Sequence, residues 1–200
     1  MWPLADDECY VSIDIEADGP APGLHSMLSL GAGAFAADGT LADTFSANLD
    51  TLPEAREDPK TMRWWATQPE AWTACRAQIR EPGQAMRSFN AWVQVHAKTV
   101  GTPVMVAYPG AFDTMWVQWY LHRFVGADPF RRRAIDVKTL AMVAMGKGYR
   151  TAVKARMPRR WHAVARHTHV AVDDAIEQGE LFMNIVRELN AHGANRPGRC

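Results

Sequence analysis

Residues 9–19, Cys9-Tyr10-Val11-Ser12-Ile13-Asp14-Ile15-Glu16-Ala17-Asp18-Gly19, carry the reading that decides the fold. Cys9 to Ile15 is short and β-branched, and the turn-forming run Asp18-Gly19-Pro20-Ala21-Pro22-Gly23 follows it, so the segment reads as a β-strand ending in a loop. Asp14 and Glu16 stand at its end, two residues apart, and project from one face. Two carboxylates on one face of a mostly apolar strand repel and raise each other's pKa, which points to a divalent cation between them. An exposed strand face with acids on it has the same pattern, so the pair takes its meaning from the rest of the chain.

Working outward, Met27 to Phe35 and Thr44 to Leu49 are the next strand candidates, separated by the hairpin signal Asp38-Gly39. The period then switches to helix. Pro59 to Gln68 and Pro69 to Gln78 read as short helices, and Pro82 to Val100 as a long amphipathic one with Ala85, Met86, Phe89, Trp92 and Val93 on its apolar face. Val104 to Tyr108 is a strand, Gly110 to Phe124 a helix and Ala134 to Val137 a last strand. Asp136 caps a helix from Val137 to Ala144. Gly146 to Thr168 holds no sustained period and many basic residues, as a long functional loop would. A helix from Val172 to Asn190 closes the pattern. Three leading strands followed by alternating helices and strands predict an α/β fold with a mixed sheet flanked by helices. Residues 1–200 read as one domain with a core at about 9–190 and a frayed tail at 191–200.

Composition agrees. Two hundred residues, 48% apolar and 22% charged, suit one globular domain that buries about 70% of its unfolded surface. Cys9, Cys75 and Cys200 are odd in number and in no CxxC spacing, which argues against a disulfide framework or structural zinc and favours a reducing compartment. The start, MWPLADDECY, shows neither a basic n-region nor an apolar h-region, and no apolar run is long enough to span a bilayer. A cytoplasmic location and no membrane partner are the expectation. Net charge is zero, 22 basic residues against 22 acidic, which taken whole argues against a polyanion partner. Divided along the chain it does not. Residues 1–58 hold twelve acids and only Arg56, whereas residues 123–167 hold twelve Lys and Arg against Asp128 and Asp136. Carboxylates that hold metal, facing a basic surface that holds phosphates, would give this division.

Two more acids occupy comparable places. Asp113 lies just past the Val104 to Tyr108 strand, in the first turn of the next helix, and Asp174 near the start of the last helix, five residues after His169. Each alone suits a helix N-terminus. Together, a D-x-E strand, an F-D after a later strand and H-x-A-x-D-D at a terminal helix form an ordered set.

At these residues the chain resembles the DEDDh 3'-5' exonucleases, the family of the proofreading exonuclease, RNase T and oligoribonuclease, over roughly residues 9–188. The segment KTMRWWATQPEA also looks like the phage exonuclease A branch. The resemblance implies an RNase H-like fold with a mixed five-stranded sheet. It assigns Asp14 and Glu16 to the first motif, Asp113 to the second, and His169 and Asp174 to the third. It further implies two Mg2+ or Mn2+ ions held by the four carboxylates, with His169 as general base. Phosphodiester hydrolysis needs an aligned water, charge neutralisation and help for the leaving oxygen, and two such ions about 3.5–4 Å apart supply these. Imidazole, with an ordinary pKa of about 6.5, suits the proton transfer. Single-stranded RNA or DNA 3' ends are the implied partner and nucleoside 5'-monophosphates the product.

Two departures stand out. Ala17 replaces the threonine common after the glutamate while Gly19 remains, so contacts to the terminal nucleotide fall to backbone groups; Tyr108-Pro109-Gly110 stands where Asn or His-Asn often precedes F-D. Leu24 or Met27 is expected to wedge against the terminal base, and Trp64, Trp65, Trp72 and Phe112 are candidates for stacking on bases. The basic residues before His169, among them Lys154, Arg159, Arg160 and Arg166, are expected to attract phosphates. Small members of that family are often homodimers, and eight tryptophans are compatible with one. The rival readings are a catalytically inactive nucleic-acid-binding or subunit-docking module on the same fold, and a D-x-D phosphatase, which would leave His169 without a role.

Overall fold

The computed structural model describes residues 4–162 and 168–194. Strands β1 (Glu8–Ala17), β2 (Met27–Phe35) and β3 (Leu41–Asn48) form an antiparallel meander. Helices α1 (Pro59–Trp65), α2 (Pro69–Cys75) and α3 (Pro82–Thr99) follow, then β4 (Thr102–Ala107), α4 (Gly110–Phe124), β5 (Ala134–Asp136) and α5 (Val137–Met145). Short 3-10 turns at Lys154–Arg156 and Arg159–Trp161 precede the last helix, α6 (Ala171–Ala194). The sheet order is β3-β2-β1-β4-β5, with β4 parallel to β1 and β5 parallel to β4. The expected α/β class and mixed five-stranded sheet are both present.

Period-two alternation along β1 divides the core. Cys9, Val11, Ile13 and Ile15 face α3 and α4, where Met86, Phe89, Trp116 and Tyr120 are fully buried against them. Tyr10 packs on the opposite side with Val104, Val106, Leu181, Phe182 and Ile185. Each large apolar side chain buried this way contributes about 1.5–3 kcal/mol. The even-numbered residues Ser12, Asp14 and Glu16 therefore lie on the α6 side. Across the sheet Asp14 pairs with Gly31 of β2. A Cβ on Gly31 would lie 2.1 Å from the Ala171 carbonyl carbon, so only glycine lets the first turn of α6 rest on the sheet beside Asp14. Gln178 then fastens α6 by donating to the Ile13 carbonyl at 3.0 Å and the Val106 carbonyl at 3.2 Å.

Boundaries differ from expectation where local backbone chemistry intervenes. Edge strand β3 starts at Leu41 rather than Thr44, because pairing with β2 extends it through the exposed residues Leu41 to Asp43. It ends at Asn48, after which Leu49 donates to the Leu28 carbonyl at 2.8 Å and makes an isolated bridge to Arg80. Helix α1 ends at Trp65, since Pro69 disfavours helical backbone at Gln68, and α2 ends at Cys75, shortly before Gln78 turns left-handed at φ 48°. The αL residue Gly146 stops α5, and α6 runs on to Ala194. Of the expected frayed tail, residues 195–200 lie outside the described residues.

Candidate active site

Four carboxylates and one imidazole converge where the ends of β1 and β4 meet the first turns of α4 and α6. Asp14 and Glu16 come from β1. Asp113, 3% exposed, reaches back from α4, and its Oδ1 accepts the Ile15 N–H at 3.2 Å, between the two strand acids. Asp174, 1% exposed, accepts the Thr168 N–H at 2.8 Å on one oxygen and the His169 N–H at 2.9 Å on the other. Those two bonds fold the segment before α6 back onto its first turn. His169 sits there with left-handed backbone, φ 58°, and its Nδ1 lies 4.0 Å from Glu16 Oε1. Glu16, His169 and Asp174 each offer a ligand atom, all within 4.8 Å of one another.

The electrostatics are unfavourable without a counter-charge. Burial and then the carboxylates of Asp113, Glu16 and Asp174 hold Asp14 well above the usual carboxylate range, against some relief from Lys154. Burial, then Asp174 and Asp113, push Glu16 up to about 8. Asp113 is raised by burial to about 7 despite the N–H bond from Ile15. Buried oxygen donors that resist ionisation, two of them also facing other carboxylates, suit a divalent cation, whose charge would favour their ionised forms.

The other expected site residues divide. Leu24 is 69% exposed on the loop after β1. Met27 is fully buried, its N–H donating to the Tyr120 hydroxyl at 2.7 Å, so it presents nothing to a base. Trp65 is likewise 2% exposed; its indole N–H donates to the Ala17 carbonyl at 3.0 Å, which makes it a brace for the end of β1 instead of a stacking platform. Its neighbour Trp64 is 40% exposed and meets the His169 ring edge-on, centroids 5.0 Å apart at 85°. Gly19 is closed in by the His25 imidazole, and Phe112 is half-buried beside Trp116. Arg159 is exposed, whereas Arg160 is paired with Glu188 of α6 at 2.6 Å and so pins the basic segment. Arg166 lies outside the described residues.

Two features escaped the sequence reading. Gly31 lies inside a strand pattern, and an interior glycine there is a usable sign of close backbone approach. The second is a pairing: Lys154 belongs to the basic segment expected to attract phosphates, but its partner Glu177, on another element, gave no signal in the sequence.

Comparison with known proteins follows the same lines. Residues 9–186 match the family model described as the Rv2179c-like 3'-5' exoribonuclease domain. The chain is similar to the 3'-5' DNA exonuclease Cap18 of Escherichia coli, 30% identical over 178 residues that cover 88% of this chain and 91% of that protein. In solved structures the fold recurs in the nuclease domain of 3'hExo, a DEDDh family member bound to rAMP, with a TM-score of 0.65, 12% identity and 92% of each chain covered. It recurs too in E. coli exonuclease I in complex with a dA16 oligonucleotide, with a TM-score of 0.61, 13% identity, and 92% of this chain against 43% of that one.

Proposed function

We propose, on the premise that this chain belongs to the Rv2179c-like 3'-5' exoribonuclease domain family, that it is a metal-dependent exonuclease releasing nucleoside 5'-monophosphates from single-stranded 3' ends. The exonuclease activity follows from the family; the residue roles, metal use and substrate are our reading. The single observation that carries it is the convergence of Asp14, Glu16, Asp113 and Asp174 from three elements, with three of them held above the ordinary carboxylate range.

In this reading the four carboxylates hold Mg2+ or Mn2+, two ions per site. When bound, such ions neutralise charge on the phosphoryl group and lower the pKa of a water. His169 takes the proton of the attacking water at an imidazole nitrogen, held over the cluster by the backbone bond to Asp174 and by Trp64. Ala17, Gly19 and the exposed Leu24 border the terminal nucleotide, and Phe112 and Trp64 flank its entry. The exposed cations of the segment before α6 gather the phosphate backbone.

On the sugar, the family description names RNA and the E. coli relative is a DNA enzyme. End-labelled DNA and RNA oligomers incubated side by side with Mg2+ or Mn2+ test both points. The expected result is a 3'-shortening ladder that EDTA abolishes. Unshortened oligomers of both kinds, with folded protein and either metal, would refute the reading and favour the inactive binding module.

A further inference from the structure

The segment between α5 and α6 delivers one cation to the inner edge of the site. Lys154 is fixed at both ends. Its backbone N–H donates to the Tyr108 hydroxyl at 3.1 Å, and its ammonium pairs with Glu177 of α6 and lies 5.4 Å from the centre of the Tyr108 ring. Tyr108 directly follows β4, five residues before Asp113, and Glu177 stands one helical turn beyond Asp174. Lys154 is thus clamped between the β4–α4 turn, which leads to Asp113, and α6, which carries Asp174. Its charge lowers the pKa of both Asp14 and Asp113.

Anchoring the segment does not call for an ion pair here. Glu177 is 5% exposed, and a pair this buried spends much of its attraction on desolvation, so apolar residues of similar size would hold the loop as well. Trp161 and the Arg160–Glu188 pair already anchor the same segment. An ammonium has three donors, Glu177 takes one, and the Lys154 side chain is still 24% exposed. The other two are left for a further acceptor at this junction, between the turn that leads to Asp113 and the helix that carries Asp174.

We propose that Lys154 is a phosphate-contacting residue of this site, its ammonium donating to the phosphate of the terminal nucleotide, and that Glu177 positions it. The proposal rests on the reading of Asp14, Glu16, Asp113 and Asp174 as the catalytic cluster.

The test compares the wild type with Lys154→Met, Lys154→Arg and the double variant Lys154→Met/Glu177→Gln. The double variant removes both charges together and leaves no buried carboxylate unpaired, so it keeps the fold even if Lys154→Met alone, with Glu177 unpaired, is destabilised. Three quantities are measured: melting temperature, calorimetric affinity in Mn2+ for a nucleoside 5'-monophosphate and for the same nucleoside without phosphate, and the single-turnover rate on a labelled oligomer. In both Met variants the monophosphate binds at least about tenfold more weakly while the nucleoside is unchanged, and cleavage slows by about tenfold or more. Lys154→Arg recovers part of each. If the two ligands weaken together, or neither weakens, Lys154 only anchors the loop and the proposal is overturned. A wild type that cleaves neither DNA nor RNA defeats the parent reading; a cleaving wild type with unimpaired Met variants defeats this one alone.

Discussion

Asp174 and His169 are joined through the backbone: the Asp174 carboxylate accepts the His169 N–H at 2.9 Å and, on its other oxygen, the Thr168 N–H at 2.8 Å. One side chain therefore both faces the cluster and fixes the carrier of the imidazole. Substitutions at Asp174 should separate these roles. Asp174→Asn keeps one of the two bonds but turns an amide donor toward the other N–H, so it loses less stability than Asp174→Ala and is inactive. Asp174→Ala leaves buried donors unpaired and loses about 1–3 kcal/mol as well as activity. Melting curves read beside the oligomer assay check this, and an active Asp174→Asn removes the residue from the cluster.

The raised carboxyls give the metal-free protein a pH dependence of definite sign. Glu16 is pushed up to about 8 and Asp113 to about 7, and Asp14 moves in the same direction. In the unfolded chain all three return to about 4. Below that pH both states are protonated and these groups cost nothing. As pH rises through the window from about 4 to about 8, the unfolded chain releases protons that the folded one retains, so stability falls, and above it the full cost is present. In EDTA the melting midpoint should drop between pH 5.5 and 8, by about 2–4 °C for each kcal/mol lost. Mn2+ should raise it more at pH 8 than at pH 5.5. A midpoint in EDTA that is flat or rises over that range contradicts the arrangement.

How far the sequence revealed this site depends on which physical signal each residue carries. Asp14 and Glu16 were legible because strand alternation fixes their common face, and Asp113 and Asp174 because each opens a helix after a readable boundary. Trp65 and Met27 misled because an aromatic or Met side chain near a motif looks alike whether it packs inward or outward. Only the tertiary bonds to Ala17 and Tyr120 decide it. Lys154 was one of seven basic residues in a segment without period, and what singles it out is Glu177, a partner 23 residues away on another element. β3 reached beyond Thr44 to Leu41 because ladder hydrogen bonds, here to β2, do not need buried side chains.

The two adjacent tryptophans should respond oppositely to substitution. Trp65→Phe removes the donor to the Ala17 carbonyl from a 2% exposed site and lowers stability by about 1–3 kcal/mol, with activity reduced through the shifted end of β1. Trp64→Ala alters an exposed ring, so the melting midpoint changes little while cleavage slows, because the His169 ring loses its edge-on neighbour. Thermal melts and initial rates on one oligomer distinguish them. Equal loss of stability in both would show that Trp64 is a packing residue.

The basic segment offers the last separation, between cations that gather substrate and cations that hold the fold. Arg159 is exposed with no ion pair among the described residues, whereas Arg160 grips Glu188 with two bonds of 2.6 Å. Both carry the same charge at adjacent positions, so long-range attraction treats them alike and only local pairing tells them apart. If Arg159 neutralises one phosphate, Arg159→Ala lowers the slope of log affinity against log salt by about 0.7 on a single strand. Arg160→Ala leaves that slope closer to the wild-type value and instead leaves Glu188, which also accepts the Trp161 indole N–H, without its guanidinium. Binding isotherms of a labelled oligomer at several salt concentrations, in a protein made inactive by Asp14→Asn, give both slopes. A larger drop for Arg160→Ala than for Arg159→Ala would mean that the Glu188 pair opens to bind substrate.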